Sequence, residues 1–271
     1  MSAYIANARM YSVTPAAEEA WKTLLGHVFE EARVAFDYMP YPAPQPMEVL
    51  WERGDLGCVF MCGYPIAMKL ADVVPIAAPI PAAPWAGGKP LYRSDLIVRA
   101  DSRFEKLEDT FGGRIGWTVE HSHSGFNALR HHLLAYRTAE RPALYREVQG
   151  HLITARGILD AVLAGAIDVG PLDGYWHDLI RFHKPELTAG VRVIASTALA
   201  PLPAFVAVPG LQANQVARMK IAFSNAEDRP WFAPLAQTLR LTGFASVEQD
   251  DFAVTLARDS EAKAQGYAMI A

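Results

Sequence analysis

The chain has 271 residues, 51% of them hydrophobic and 20% charged, enough to bury one large core or two smaller ones. A formal net charge of −4 and a pI near 6.1, with no basic stripe interleaved with aromatics, argue against nucleic acid as a partner. No run of eighteen apolar residues is present, which speaks against membrane insertion, and Met1 to Met10 lacks the basic start and apolar segment of an export signal.

Short apolar runs alternate with helix-period segments through most of the chain, the pattern of an α/β protein with mostly parallel sheets. Thr14 as cap, Pro15 at the first position, Glu18 and Glu19 in the first turn and Trp21, Leu24, Leu25 and Val28 on one face predict a helix from Pro15 to Phe29. Val34 to Tyr38 and Leu56 to Met61 read as strands, separated by a stiff proline-rich loop, Met39 to Pro46. The only two cysteines, Cys58 and Cys62, lie four apart, roughly 13 Å along a strand, too far for a disulfide, and read as core residues.

A second proline cluster, Pro75 to Pro90, precedes the strand Asp95 to Arg99 and is read as a crossover between lobes. Beyond it the pattern runs strand (Ile115 to Val119), helix (Phe126 to Leu134), strand (Tyr145 to Val148), helix (Ala155 to Leu163), strand (Ala166 to Gly170), helix (Tyr175 to Phe182) and strand (Val191 to Ser196). A third proline-rich stretch, Ala200 to Phe205, marks the return, and the amphipathic segment Val216 to Phe223 opens the last part. Two crossings imply a discontinuous first lobe, residues 1–93 plus 201–271, with a second lobe, 94–200, inserted in it. Ligands of such folds sit at the carboxyl ends of strands, in the cleft between lobes.

The segment Trp117 to Arg130 is the most informative. An apolar run breaks into Ser122-His-Ser-Gly125 and restarts at helical spacing, a strand feeding a helix through a small polar turn. Helix first-turn N–H groups have no partner within the helix and carry the positive end of its dipole, so such a turn can hold an oxyanion. Serines at that place also serve as ordinary N-caps.

Other chemistries fit less well. His121, His123, His131 and His132 lack the spacing of a zinc set, so no metal is expected. Neither Ser122 nor Ser124 has the flanking glycines of a hydrolase nucleophile, and no Gly-x-Gly-x-x-Gly or Walker-type sequence is present, so no nucleotide cofactor is expected.

Four segments in order, Cys62-Gly-Tyr-Pro65, Tyr92 to Ser102 with Leu107 to Ile115, Ser122 to Gly125, and Gly165 to Asp173, resemble the solute-binding proteins of phosphate, phosphite and phosphonate ABC transporters. These are the phosphonate-binding group of the type II periplasmic-binding-protein fold. The resemblance covers roughly residues 8 to 225. It implies a two-lobed α/β protein, not an enzyme, that binds a small oxyanion, most simply a phosphonate, and hands it to an ABC permease. It implies a periplasmic location; the absence of an export signal favours instead a cytoplasmic ligand sensor or an enzyme on the same fold.

By the same resemblance Ser122, His123 and Ser124 hold the oxyanion, Tyr64 lines the ligand, Asp173 faces its amino or hydroxyl end, and Tyr11 and Ser12 border the cleft; Tyr92 is expected to add to the ligand's shape and polarity. Lobe closure would hinge near Arg93 and Ala200. Where the family has Ser-His before a helix, this chain has Thr154-Ala155-Arg156. Arg156 either replaces the histidine as the cationic partner or is a solvated helix residue. A protonated His123 would make binding strengthen as pH falls toward 6.

Overall fold

The computed structural model describes residues 4–271. In chain order its elements are β1 (Tyr4–Asn7), α1 (Pro15–Ala32), β2 (Phe36–Tyr38), α2 (Met47–Trp51), β3 (Leu56–Met61), α3 (Gly63–Ala67), β4 (Val74–Pro81), β5 (Leu91–Tyr92), β6 (Ser94–Arg99), β7 (Arg114–Gly116) and α4 (Ala128–Leu133). They continue with β8 (Glu147–Gln149), α5 (Ala155–Leu163), β9 (Gly170–Asp173), α6 (Gly174–His183), α7 (Pro185–Thr188), β10 (Val191–Ser196), β11 (Ala200–Pro201), β12 (Ala204–Ala207), α8 (Ala213–Ser224), α9 (Phe232–Leu239), β13 (Leu241–Ser246) and α10 (Ala253–Ala264). The chain divides into two compact units, one formed by the residues up to Tyr92 with Pro201–Ala253, the other by Arg93–Ala200 with Val254–Ala271.

The first unit is built on a six-stranded sheet in the order β13-β4-β12-β3-β1-β2. Its first helix forms as the sequence dictates: the Thr14 hydroxyl accepts from the Ala17 N–H, Pro15 occupies the first turn, and Arg33 in the left-handed region ends the helix. Trp21 is wholly buried, edge-on to Phe60 at 5.3 Å and Phe205 at 5.8 Å. A second cluster around Leu50, Trp51, Leu56, Val59, Met61, Ile66 and Phe252 fills the unit.

Strand directions depart from the parallel expectation. β1 runs parallel to β2 and β3, but β12 is antiparallel to β3 and β4, and β13 is antiparallel to β4. The chain leaves this unit after Tyr92 and returns at Pro201, and the returning strands run back against those already laid down. The second unit shows the same logic: β6 carries the chain in and β10 carries it out, and the two pair antiparallel.

The cluster read as a lobe crossover, Pro75 to Pro90, contains the eight-residue strand β4, with Pro75, Pro79 and Pro81 inside the sheet. Proline cannot donate to a ladder, and the register slips beside it, between Phe205 and Val206 on one side and between Leu241 and Gly243 on the other.

The second unit holds the sheet β10-β6-β9 and the parallel pair β7/β8. Its core includes Leu96, Val98, Ile115, Trp117, Leu129 and Val169, and also Tyr267 and Ile270. Those last two correct the expected boundary: residues 254–271 belong with this unit, because their apolar side chains fill its core and the Leu144 N–H donates to the Ala271 carbonyl at 2.8 Å.

Candidate functional site

The segment after β7 folds as a strand-to-helix turn. The Thr118 N–H donates to the Gly125 carbonyl (3.2 Å) and the Ser122 N–H to the Val119 carbonyl (3.0 Å), closing the loop on itself. Ser122 is the N-cap, its hydroxyl accepting from the Gly125 N–H at 3.0 Å. The helix then opens with a π turn, His123–Asn127, before continuing as α4. Wide turns of this kind are infrequent and recur at functional sites. They leave the first N–H groups at His123 and Ser124 outside the intrahelical ladder.

Glycine at 125 is required by space. A Cβ there would lie 1.9 Å from Thr118 Oγ1 and 2.9 Å from the Thr118 Cβ. No side chain fits between the strand and the helix it feeds.

The turn is tied to the central sheet through Ser94 and Asp173, cross-strand neighbours on β6 and β9. The Ser94 hydroxyl donates to the Ser124 carbonyl at 2.8 Å, and the Ser94 N–H donates to Thr197 Oγ1 at 2.9 Å. Asp173 caps α6, its Oδ1 accepting from the Tyr175 and Trp176 N–H groups, both at 3.0 Å. Its Oδ2 lies 3.5 Å from the Ser124 hydroxyl. A carboxylate and two hydroxyls thus converge at the start of two helices. Ser94 escaped the sequence reading; only its place inside the Tyr92-Arg-Ser-Asp segment hinted at it.

One residue further along β6, Asp95 accepts from Ser196 (2.8 Å) and meets His177 Nδ1 (2.9 Å) and Arg93 Nε (3.1 Å). Burial raises its carboxyl, but the hydrogen bonds from His177 and Ser196 outweigh that and leave it below the usual carboxylate range.

His123 is wholly enclosed. Its Nδ1 lies 3.3 Å from Asn127 Nδ2 and its Nε2 lies 3.3 Å from Arg258 Nη1. Burial first, then the positive charge of Arg258 and the neighbouring His131, push the imidazole down to about 3. The ring is therefore neutral near pH 6, which corrects the expectation that it charges to strengthen anion binding.

Ser122, His123, Ser124 and Asp173 come together in the second unit. Arg156 does not join them: its Nε donates to both oxygens of Asp160 (2.8 and 2.9 Å), one turn along α5, and half its side chain is exposed. In the first unit, Tyr11 is fully buried, edge-on to Phe60 at 5.0 Å, with its carbonyl accepting from the Trp21 indole. It packs there in the core of the first unit. The Ser12 hydroxyl donates to the Ala8 carbonyl at 2.9 Å, and Tyr64 and Tyr92 are both buried. Among the described residues no group of three or more His, Cys, Asp or Glu could hold a metal ion.

Residues 12–252 match the family described as ABC transporter, phosphonate, periplasmic substrate-binding protein. The chain belongs to this family. Members are solute-binding components, not enzymes, and the fold of their solved relatives agrees. The chain is similar to PhnD1 from Prochlorococcus marinus, solved in complex with methylphosphonate (TM-score 0.79, 13% identity, 96% of this chain and 98% of that one covered). It is similar to the binding-protein component of a phosphonate ABC transporter from Pseudomonas aeruginosa (TM-score 0.75, 16% identity, 98% and 94% covered). The aliphatic sulphonate-binding protein SsuA from Escherichia coli shares the fold more distantly (TM-score 0.56, 14% identity, 98% and 88% covered). These likenesses identify a two-lobed type II periplasmic-binding-protein fold. No curated protein matches the sequence.

Proposed function

We propose that this member of the phosphonate-binding family takes a phosphorus oxyanion, a phosphonate first of all, at the Ser122 to Gly125 turn. The observation that carries this reading is the turn itself: a π-opened helix start, a hydroxyl on either side of His123, and a glycine that lets the helix start pack directly on Thr118 of the preceding strand segment. Such a site offers neutral, directional donors, and hydrogen bonds from them to a charged oxygen are worth roughly 1.5 to 3 kcal/mol each. Asp173, beside Ser124, is suited to a ligand that carries an amino or hydroxyl group as well as the oxyanion.

Tyr64 keeps the ligand-lining role that the family resemblance gives it and Tyr92 is assigned beside it, while the placements of Tyr11 and Arg156 argue against such a role. Family membership supports the periplasm as the working compartment and an ABC permease as the recipient of the solute.

The test is a thermal-shift screen of the purified protein against methylphosphonate, aminoethylphosphonate, phosphate, phosphite, sulfate and simple carboxylates. A ligand that binds only the folded chain raises its melting temperature by mass action. A rise with phosphorus oxyanions is expected; a rise with carboxylates alone would overturn the reading.

A further inference from the structure

The match to the family ends at residue 252, yet the segment that follows is bonded at three successive points to the oxyanion turn and the helix it opens, one of them on the turn itself. The Thr255 carbonyl accepts from Asn127 Nδ2 at 2.8 Å. Arg258 Nη1 faces His123 Nε2 at 3.3 Å while its Nη2 donates to the Leu199 carbonyl at 2.7 Å. Asp259 accepts from the buried Arg130, whose other Nη donates to the Ala268 carbonyl at 2.6 Å. His123, Asn127 and Arg130 are spaced three and four apart, so they form one face of the helix that begins at the turn, and α10 meets that face.

We infer that α10 is a brace for ligand binding and that Arg258 is a positioning residue, which seats the His123 ring and so fixes the main chain between Ser122 and Ser124. The inference rests on the reading of the turn as the oxyanion site.

Hydrogen-bond accounting around His123 supports it. Asn127 is oriented by its other contacts, since Oδ1 accepts from Arg130 Nη2 at 3.0 Å and Nδ2 donates to Thr255. Its amide N–H therefore faces one ring nitrogen, and the guanidinium of Arg258 faces the other. A neutral imidazole has one acceptor nitrogen and accepts from one of these two neighbours, whereas an imidazolium has none and would lose that bond as well. Arg258 on α10 and His131 on the ring's own helix both act on the ring with their charge, and His131 is itself paired with Glu261 of α10 at 2.8 Å. Arg258 also sets a permanent positive charge one imidazole ring away from the turn, where an anion gains from it. A site held by packed and hydrogen-bonded neighbours loses less freedom when it binds.

The experiment titrates methylphosphonate calorimetrically into the full chain and its Arg258→Ala and Arg258→Lys variants. The His123 ring is followed by NMR in each. Arg258 is half-buried, so both variants should fold. Arg258→Ala is expected to weaken binding ten- to a hundredfold and to raise the His123 pKa. Arg258→Lys, which keeps the charge but not the fork, should recover part of the affinity. Affinity within twofold of the parent in Arg258→Ala, with an unmoved His123, would overturn the brace. If the parent itself does not take methylphosphonate, the reading of the ligand fails, and amide exchange decides the brace separately. Exchange at Ser124 and Gly125 at least tenfold faster in ligand-free Arg258→Ala supports it, and unchanged exchange overturns it.

Discussion

The Ser124 hydroxyl lies 3.5 Å from Asp173 Oδ2, so the turn that offers donors to an oxyanion has a carboxylate beside it. A negative group there disfavours a bare dianion and favours a ligand with a positive or donor end. Asp173→Asn keeps an oxygen for the Tyr175 and Trp176 N–H groups, so stability should change by less than about 1 kcal/mol. Methylphosphonate should bind the variant as well as or better than the parent, and aminoethylphosphonate at least about tenfold worse. Calorimetric titration of both ligands checks this; equal weakening of the two would reduce Asp173 to a helix cap.

Gly125→Ala should damage the turn. The new methyl would sit 1.9 Å from Thr118 Oγ1, and overpacking of this kind costs about 1 to 3 kcal/mol. Thr118→Ala alone should not rescue it, because the Thr118 Cβ is itself only 2.9 Å away, whereas Thr118→Gly should restore part of the loss. Urea unfolding of the two double variants measures the difference.

Acid should act through His123. Its folded pKa, about 3, lies below the unfolded value near 6.5, so between the two the unfolded chain binds more protons. The stability this neutral ring permits is complete above about pH 6.5 and declines as pH falls toward 3, by up to about 1.4 kcal/mol per unit. Denaturant unfolding at pH 7, 5.5 and 4.5 should show that slope, and His123→Gln should flatten it.

Arg156→Ala should leave oxyanion affinity within about twofold of the parent. The residue spends its guanidinium on Asp160 in an exposed i,i+4 pair, and such pairs contribute about 0.3 to 0.5 kcal/mol. A large loss of affinity in the titration would return Arg156 to the site.

What could be read in the sequence was local. The Thr14-Pro15 start of α1, the helix over 155–163 and the Ser-x-Ser-Gly turn rest on neighbours a few positions apart, and each stands close to where the pattern put it. The cap role of Asp173 is equally local, since its partners are Tyr175 and Trp176, yet the sequence pointed only to a ligand-facing role for it.

The misses involve residues far apart in the chain. Strand β4 was hidden by its prolines, which mimic a loop unless the register slips around them are known. Tyr11 follows a strand, as a ligand-lining residue would, but only the fold brings Phe60 and Trp21 onto it. Arg258 stands 135 positions from His123, and no spacing rule connects them. The C-terminal segment belongs with the second unit for a reason of the same kind, because only the fold gathers Tyr267 and Ile270 into one buried cluster with Leu129 and Val169.

The central claim is that the Ser122 to Gly125 turn holds the ligand's oxyanion. Calorimetric titration of methylphosphonate into the parent chain and into Ser124→Ala, at one pH and one salt concentration, tests it most directly. Losing one donor to a charged oxygen should cost about 1.5 to 3 kcal/mol, a ten- to hundredfold weaker affinity, while the ligand-free melting temperature moves little. Identical affinities for the two chains would contradict the account and place the oxyanion elsewhere.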